Sequence, residues 1–199
     1  MTEVRRPITD PTAMRALAHP ARLAILNRLQ SEGPATATDV AEVVGVTPSA
    51  ASYHLRMLAK YGFTEDAPPR GDGRERLWRA TPGGVTISPN PDDRPEVRTA
   101  KDLLIKAVRD QAAEEVTRAL DNFDREPPEW REASVLNRAV LLVDAEEMKR
   151  LGEQIDELLA PYRIASRDRA QAPAGARIAE AQVSLFPRVE RRPHGIPRE

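Results

Sequence analysis

ATDVAEVVGVTPSAASYHLRMLAKYGF, residues 37–63, reads as two helices joined by a turn of about three residues. Thr36 with Asp39 three positions on is a capping box in which Asp replaces the usual Glu, so a helix starts there. Val40, Ala41, Val43 and Val44 give it apolar positions over two turns, and Gly45 ends it. Thr47-Pro48 opens the second helix with a capping hydroxyl and a ring that presets the first helical φ. Ala51, Leu55 and Leu58 recur at helical spacing along it, and Gly62 after Tyr61 supplies a left-handed stop.

Working outward, Asp10-Pro11 starts a short helix and Pro20 starts another, whose stripe Leu23, Ile25, Leu26 and Leu29 runs to Ser31-Glu32-Gly33-Pro34. Downstream, Phe63-Thr64-Glu65 and Arg76-Leu77-Trp78-Arg79 have strand character and flank a tip of turn formers, Pro68 to Arg74. That is a hairpin with a long tip. Thr81 to Pro95 reads as a linker in which Val85-Thr86-Ile87 can add a brief strand.

From Glu96 to Phe123, apolar residues including Val97, Ala100, Leu104, Val108, Val116, Leu120 and Phe123 lie three or four apart over roughly 40 Å of helix. A helix of that length outruns a 90-residue core, so it is read as the seam of a homodimer, with packing inside its own chain as the alternative. Ser134 to Val143 is an apolar strand candidate. Asp144 and Glu147 cap a helix carrying Met148, Leu151, Ile155, Leu158 and Leu159, and Ala179 to Leu185 alternates like a half-buried strand. The expected fold class is therefore mainly α with small β: a winged helix-turn-helix domain over residues 1–90, then, over 91–199, a long dimerisation helix and a C-terminal β-α-β unit.

Composition narrows the function classes. With 30 Lys and Arg against 31 Asp and Glu the chain is nearly neutral, so any surface for nucleic acid must come from local placement of arginines. The absence of cysteine removes disulfides, thiolate metal sites and cysteine nucleophiles, and suits a reducing compartment. The stretch MTEVRRPITDPTAM lacks the apolar core of a secretory signal, and no segment reaches the ~20 apolar residues of a membrane span. A cytoplasmic protein without a membrane partner is expected.

The order helix, helix, short helix, turn, helix, hairpin is that of a winged helix-turn-helix. LAHPARLAILNRL (residues 17–29), residues 37–63 and the wing ending RERLWRAT (residues 74–81) closely resemble the ArsR-type regulators. The resemblance implies a homodimer that binds an inverted repeat in double-stranded DNA, commonly as a repressor released by a chemical signal. Many members sense metal through cysteines on the third helix; here that stretch reads Asp39-Val40-Ala41-Glu42-Val43-Val44, so thiolate sensing is excluded and no metal or other cofactor is expected. The region after Pro95 is longer than the single helix that closes minimal members. That leaves a small-molecule effector open as a further partner, of unknown identity.

If Ala51, Leu55 and Leu58 face inward, the opposite face of the second helix presents Ser49, Ser52, Tyr53 and Arg56, with Thr47 at its positive end. Hydroxyls can bond phosphates or base edges, Tyr53 can touch a thymine methyl, and Arg56 can make the bidentate contact to guanine. The plain alternatives are solvated surface for the serines and packing against the wing for Tyr53. His54 resembles the histidine at the edge of the DNA face in this family, against the alternative of a histidine held between helices. In the wing, Arg70, Arg74 and Arg76 can reach phosphates or a narrow minor groove, unless the hairpin is simply a solvated charged turn. Over Thr47 to Ala80 six cations meet four anions, a small surplus. No glycine-rich phosphate loop or nucleophile elbow is present, so the chain is not read as an enzyme. The reading is a DNA-binding transcriptional regulator, with a winged helix used for protein contact or small-molecule sensing as the rival.

Overall fold

The computed structural model describes residues 6–69, 75–82, 85–87, 90–164 and 167–188. A two-residue strand β1 (Arg6–Pro7) leads into α1 (Pro11–Leu17), α2 (Pro20–Glu32), α3 (Ala37–Val44) and α4 (Pro48–Lys60). The sheet strands β2 (Thr64–Ala67) and β3 (Leu77–Ala80) follow, then β4 (Val85–Thr86), the long α5 (Pro95–Asp121), α6 (Pro128–Ala133) and α7 (Ala145–Leu159).

Local chemistry sets each boundary. Asp10 accepts from the Thr12 amide, the Thr36–Asp39 capping box is closed in both directions, and the Thr47 hydroxyl accepts from the Ala50 amide. Gly45 (φ 72°) and Gly62 (φ 75°) supply the left-handed backbone that lets the chain turn sharply before and after α4. β2 and β3 pair antiparallel, with Thr64 opposite Ala80 and Asp66 opposite Trp78. Ala35 adds a third rung: its amide donates to the Trp78 carbonyl (3.0 Å) and its carbonyl accepts from the Trp78 amide (2.9 Å). The wing is thereby tied to the α2–α3 connection. β4 pairs with β1 in parallel, so the brief strand expected at Val85 exists and finds its partner at the other end of the domain.

The core is aliphatic and runs through the first four helices, the wing and the first part of α5. Met14, Ile25, Val40, Ala51, Leu55, Leu58 and Leu104 are at most 1% exposed. α5 packs against α1 and α2 through Val97, Ala100 and Leu104, and the Lys101 ammonium meets the Asp93 carboxylate at 2.5 Å with both side chains largely covered. Beyond Leu104, among the described residues, no side chain is buried.

The fold class is mainly α with small β, as expected. One component needs correction: α7 forms where the C-terminal helix is expected, with its Asp144–Glu147 capping box, but the flanking segments 134–143 and 176–188 form no strands. Alternation of apolar residues favours extended backbone, but a strand also requires a hydrogen-bonding neighbour, and among the described residues neither segment is paired. The β-α-β unit is therefore not formed within the described chain. α6 and the short 3₁₀ turn Phe123–Arg125 had not been anticipated.

Candidate nucleic-acid interface

α4 has two unlike faces. Ala51, Leu55 and Leu58 are sealed against α2, α3 and the wing, and the Thr64 hydroxyl, itself buried, donates to the Leu55 carbonyl (3.2 Å), fixing the helix to β2. The opposite face carries Thr47, Ser49, Tyr53 and Arg56, all exposed, with Tyr53 at 52%; Ser52 is half-buried beside them. Among the described residues Arg56 makes no ion pair, so its guanidinium is available to an outside acceptor. The helix N-terminus adds a partial positive charge at the Thr47 end.

His54 sits apart from that stripe. Its ring is half-buried, 4.9 Å from His19 and 5.6 Å from Tyr53, and its Nδ1 is covered with no hydrogen-bond partner among the described residues. His19 caps α2, its Nδ1 accepting from the Ala21 amide (3.2 Å). Burial lowers the pKa of both imidazoles, and neighbouring positive charge adds to it: Arg22 beside His19, and His19 and Arg22 beside His54. The pair is therefore favoured in its neutral form.

In the sequence Arg22 stands only as part of a core helix. Its Nε donates to the Ala16 carbonyl, and burial lowers its pKa against the raising influence of Tyr53 and Tyr61. It is a cation set beneath the edge of the exposed α4 face. Nothing in the local pattern PARL signals this, because the apolar stripe of α2 dominates it.

The wing differs from expectation in its charge. Arg76 lies across Asp66 in a two-pronged pair (Nε–Oδ1 2.6 Å, Nη2–Oδ2 3.1 Å) and covers the Trp78 ring at 4.0 Å. Arg79 pairs with Glu65, its opposite in the β2–β3 register, at 2.7 Å. Two of the six cations counted over Thr47 to Ala80 are thus engaged at the base of the hairpin. Arg70 and Arg74 lie outside the described residues. The described candidates therefore fall into three settings: Thr47, Ser49, Ser52, Tyr53 and Arg56 together on α4, His54 in a notch against α2, and Arg76 on the wing.

Comparison with known proteins bears on the same stretch. Residues 17–66 match the family model of a helix-turn-helix domain. This part of the chain is similar to the helix-turn-helix domains of transcriptional regulators. Over 52 residues, 26% of the chain, it is 45% identical to the HTH-type transcriptional regulator NmtR of Mycobacterium tuberculosis. The chain spans under half the length of that relative, 42%. Among solved structures, the homodimeric winged helix-turn-helix DNA-binding domain of a possible ArsR-family transcriptional regulator from Mycobacterium bovis is similar at 25% identity. That match covers 53% of this chain and 84% of that one, with a TM-score of 0.32. A mutant of MarR from E. coli is similar at 15% identity, covering 76% and 88% respectively, with a TM-score of 0.33. Among the described residues no helix is long and apolar enough to cross a membrane.

Proposed function

We propose that the chain is a sequence-specific, double-stranded DNA-binding transcriptional regulator, a repressor acting as a homodimer. In this reading α4 enters the major groove, the wing lies on the flanking backbone or minor groove, and the exposed half of α5 forms the dimer seam. The observation that carries it is the two-faced α4: Ala51, Leu55 and Leu58 anchor one side at 1% exposure or less, while Thr47, Ser49, Tyr53 and Arg56 stand free on the other. A helix held this rigidly can present hydroxyls and a guanidinium to base edges at little ordering cost. The similarity of residues 17–66 to helix-turn-helix regulators supports the same assignment. Val108 and Leu120 on α5, and Phe123 in the turn that follows it, are exposed at 38% or more, past the point where the helix leaves its own core, which supports self-association there.

Arg56→Ala tests the groove assignment. After selection of bound fragments from genomic DNA, the variant should lose about 1 to 3 kcal/mol of discrimination at one base position. Equal loss on every sequence would demote Arg56 to a phosphate contact.

The second reading is a winged helix used for protein contact, and the pairing of Arg76 with Asp66 and of Arg79 with Glu65 favours it by removing cations from the wing. It predicts affinity for any duplex no tighter than nonspecific at physiological salt. An effector belongs to neither reading by necessity. The open cleft between α2, α5, α7 and residues 176–183 measures about 2620 Å³, well beyond the roughly 300–1,000 Å³ of a small-molecule pocket.

A further inference from the structure

We propose that His19 and His54 make the duplex reading of α4 proton-sensitive: with both imidazoles neutral the start of α2 stays closed against α4, and a proton added to the pair opens that junction and weakens discrimination between sequences. The inference deepens the DNA-binding reading and rests on it.

The two rings join the first residue before α2 to the middle of α4, with centroids 4.9 Å apart. His19 is the N-cap of α2, and its bond requires a neutral ring, because the Nδ1 lone pair accepts from the Ala21 amide at 3.2 Å. A proton on that nitrogen sets one donor against another and places a cation at the positive end of the helix. His54 is no better prepared for a second proton. Its Nδ1 is covered and, among the described residues, has no hydrogen-bond partner, so a proton there meets no acceptor.

The charges around the pair act in the same direction. Arg22, half-buried and bonded to the Ala16 carbonyl, disfavours a further cation at either ring. α4 adds Tyr53, the outward Arg56 and, at its end, Lys60 over the Tyr61 ring at 5.4 Å. α1 adds Arg15, which donates to the Glu96 carbonyl, and Asp10, which caps that helix. The carboxylates on the other elements packed against α2 and α4 are committed: Asp39 to the α3 capping box, Glu65 to Arg79, Asp66 to Arg76 and Asp93 to Lys101, while Glu42 on α3 is exposed.

The junction also touches the reading face. Tyr53 stands edge-on to His54 at 5.6 Å and is 52% exposed on the side of α4 offered to the duplex. His19 is exposed, so solvent protons reach the cap directly. Once the cap is lost, the first turn of α2 frays and Tyr53 loses the ring that supports it, while Ala51, Leu55 and Leu58 keep α4 in the core. The added cation also favours any duplex through its phosphates, so the specificity ratio, not the affinity, reports the change.

The test measures the affinity of the full chain for a duplex selected from genomic DNA and for a scrambled duplex, at about pH 7 and about pH 5, where far-UV dichroism shows unchanged helix content. The selected-to-scrambled ratio should fall by about threefold to tenfold on acidification, as uptake of one or two protons allows. His19→Asn keeps a capping oxygen and cannot titrate, so its ratio should match that of the unsubstituted chain at about pH 7 and hold at about pH 5. In the chain without DNA, the Ala21 amide resonance should move with the same midpoint as the His19 ring protons. A ratio above one that does not change with pH, or a fall that His19→Asn reproduces, would overturn the switch and leave the duplex reading intact. An Ala21 amide that stays still while His19 titrates would overturn the cap as the target of the proton. A ratio of one already at about pH 7 would overturn the duplex reading and the switch with it.

Discussion

Residues 13–104 and residues 105–188 are similar in length and opposite in burial. Every side chain that is buried among the described residues lies in the first stretch; in the second, apolar residues such as Leu142, Leu136 and Phe186 are 70% or more exposed. The first stretch closes a core on itself because its helices are short, capped at both ends and turned back at Gly45 and Gly62. The second holds the far part of the α5 rod, the short α6, the helix α7 and two segments without regular structure, and none of these closes a core of its own. One half thus encloses its own core, and the other leaves its apolar side chains to solvent.

Truncating one side chain in each half gives the largest contrast. Leu55→Ala, at a fully buried position, should cost about 2–5 kcal/mol of unfolding free energy. Leu142→Ala, at a fully exposed one, should leave the denaturation midpoint of the core unchanged. Equal losses would break the comparison.

A smaller effect sharpens it from within the module. His19 and His54 are pushed below the ordinary imidazole value of 6.5, chiefly by burial. The unfolded chain then binds more protons than the folded one just below that value, so the stabilisation is complete above 6.5 and is lost as pH falls toward the folded pKa. Thermal midpoints measured from about pH 7 to about pH 5 should fall, and His54→Gln should flatten the slope. A slope that His54→Gln leaves unaltered would remove this pair as the cause.

The wing should respond least. Asp66 and Arg76 are both more than half exposed, so Asp66→Asn should change stability by less than about 1 kcal/mol, because solvent screens the pair. The same substitution frees Arg76 and should strengthen nonspecific DNA binding at low salt. A weakened affinity would mean that the pair holds the hairpin in its binding geometry.

Legibility followed the same division. Asp10-Pro11, Thr36 with Asp39, Thr47-Pro48 and Gly62 mark helix ends by chemistry confined to a few neighbouring residues, and α1, α3 and α4 begin or end there. The free face of α4 followed from the spacing of Ala51, Leu55 and Leu58. What stayed hidden depends on distant partners: the β1–β4 pairing, the Ala35–Trp78 rung, the Asp66–Arg76 pair and the His19–His54 contact. The alternation in Ala179 to Leu185 promised a strand for the same reason that it misled. A two-residue period says which side chains share a face and nothing about which backbone lies alongside.

The central claim is that the exposed face of α4 reads a duplex, and competition binding at physiological salt tests it most directly. The full chain is titrated with a duplex selected from genomic DNA and with a scrambled duplex of the same length. Affinity for the selected duplex should be tighter by about 10³-fold or more, and Ser49→Glu, which places a negative charge on that face, should collapse the difference. Equal affinity for the two duplexes, or a preference untouched by Ser49→Glu, would contradict the account.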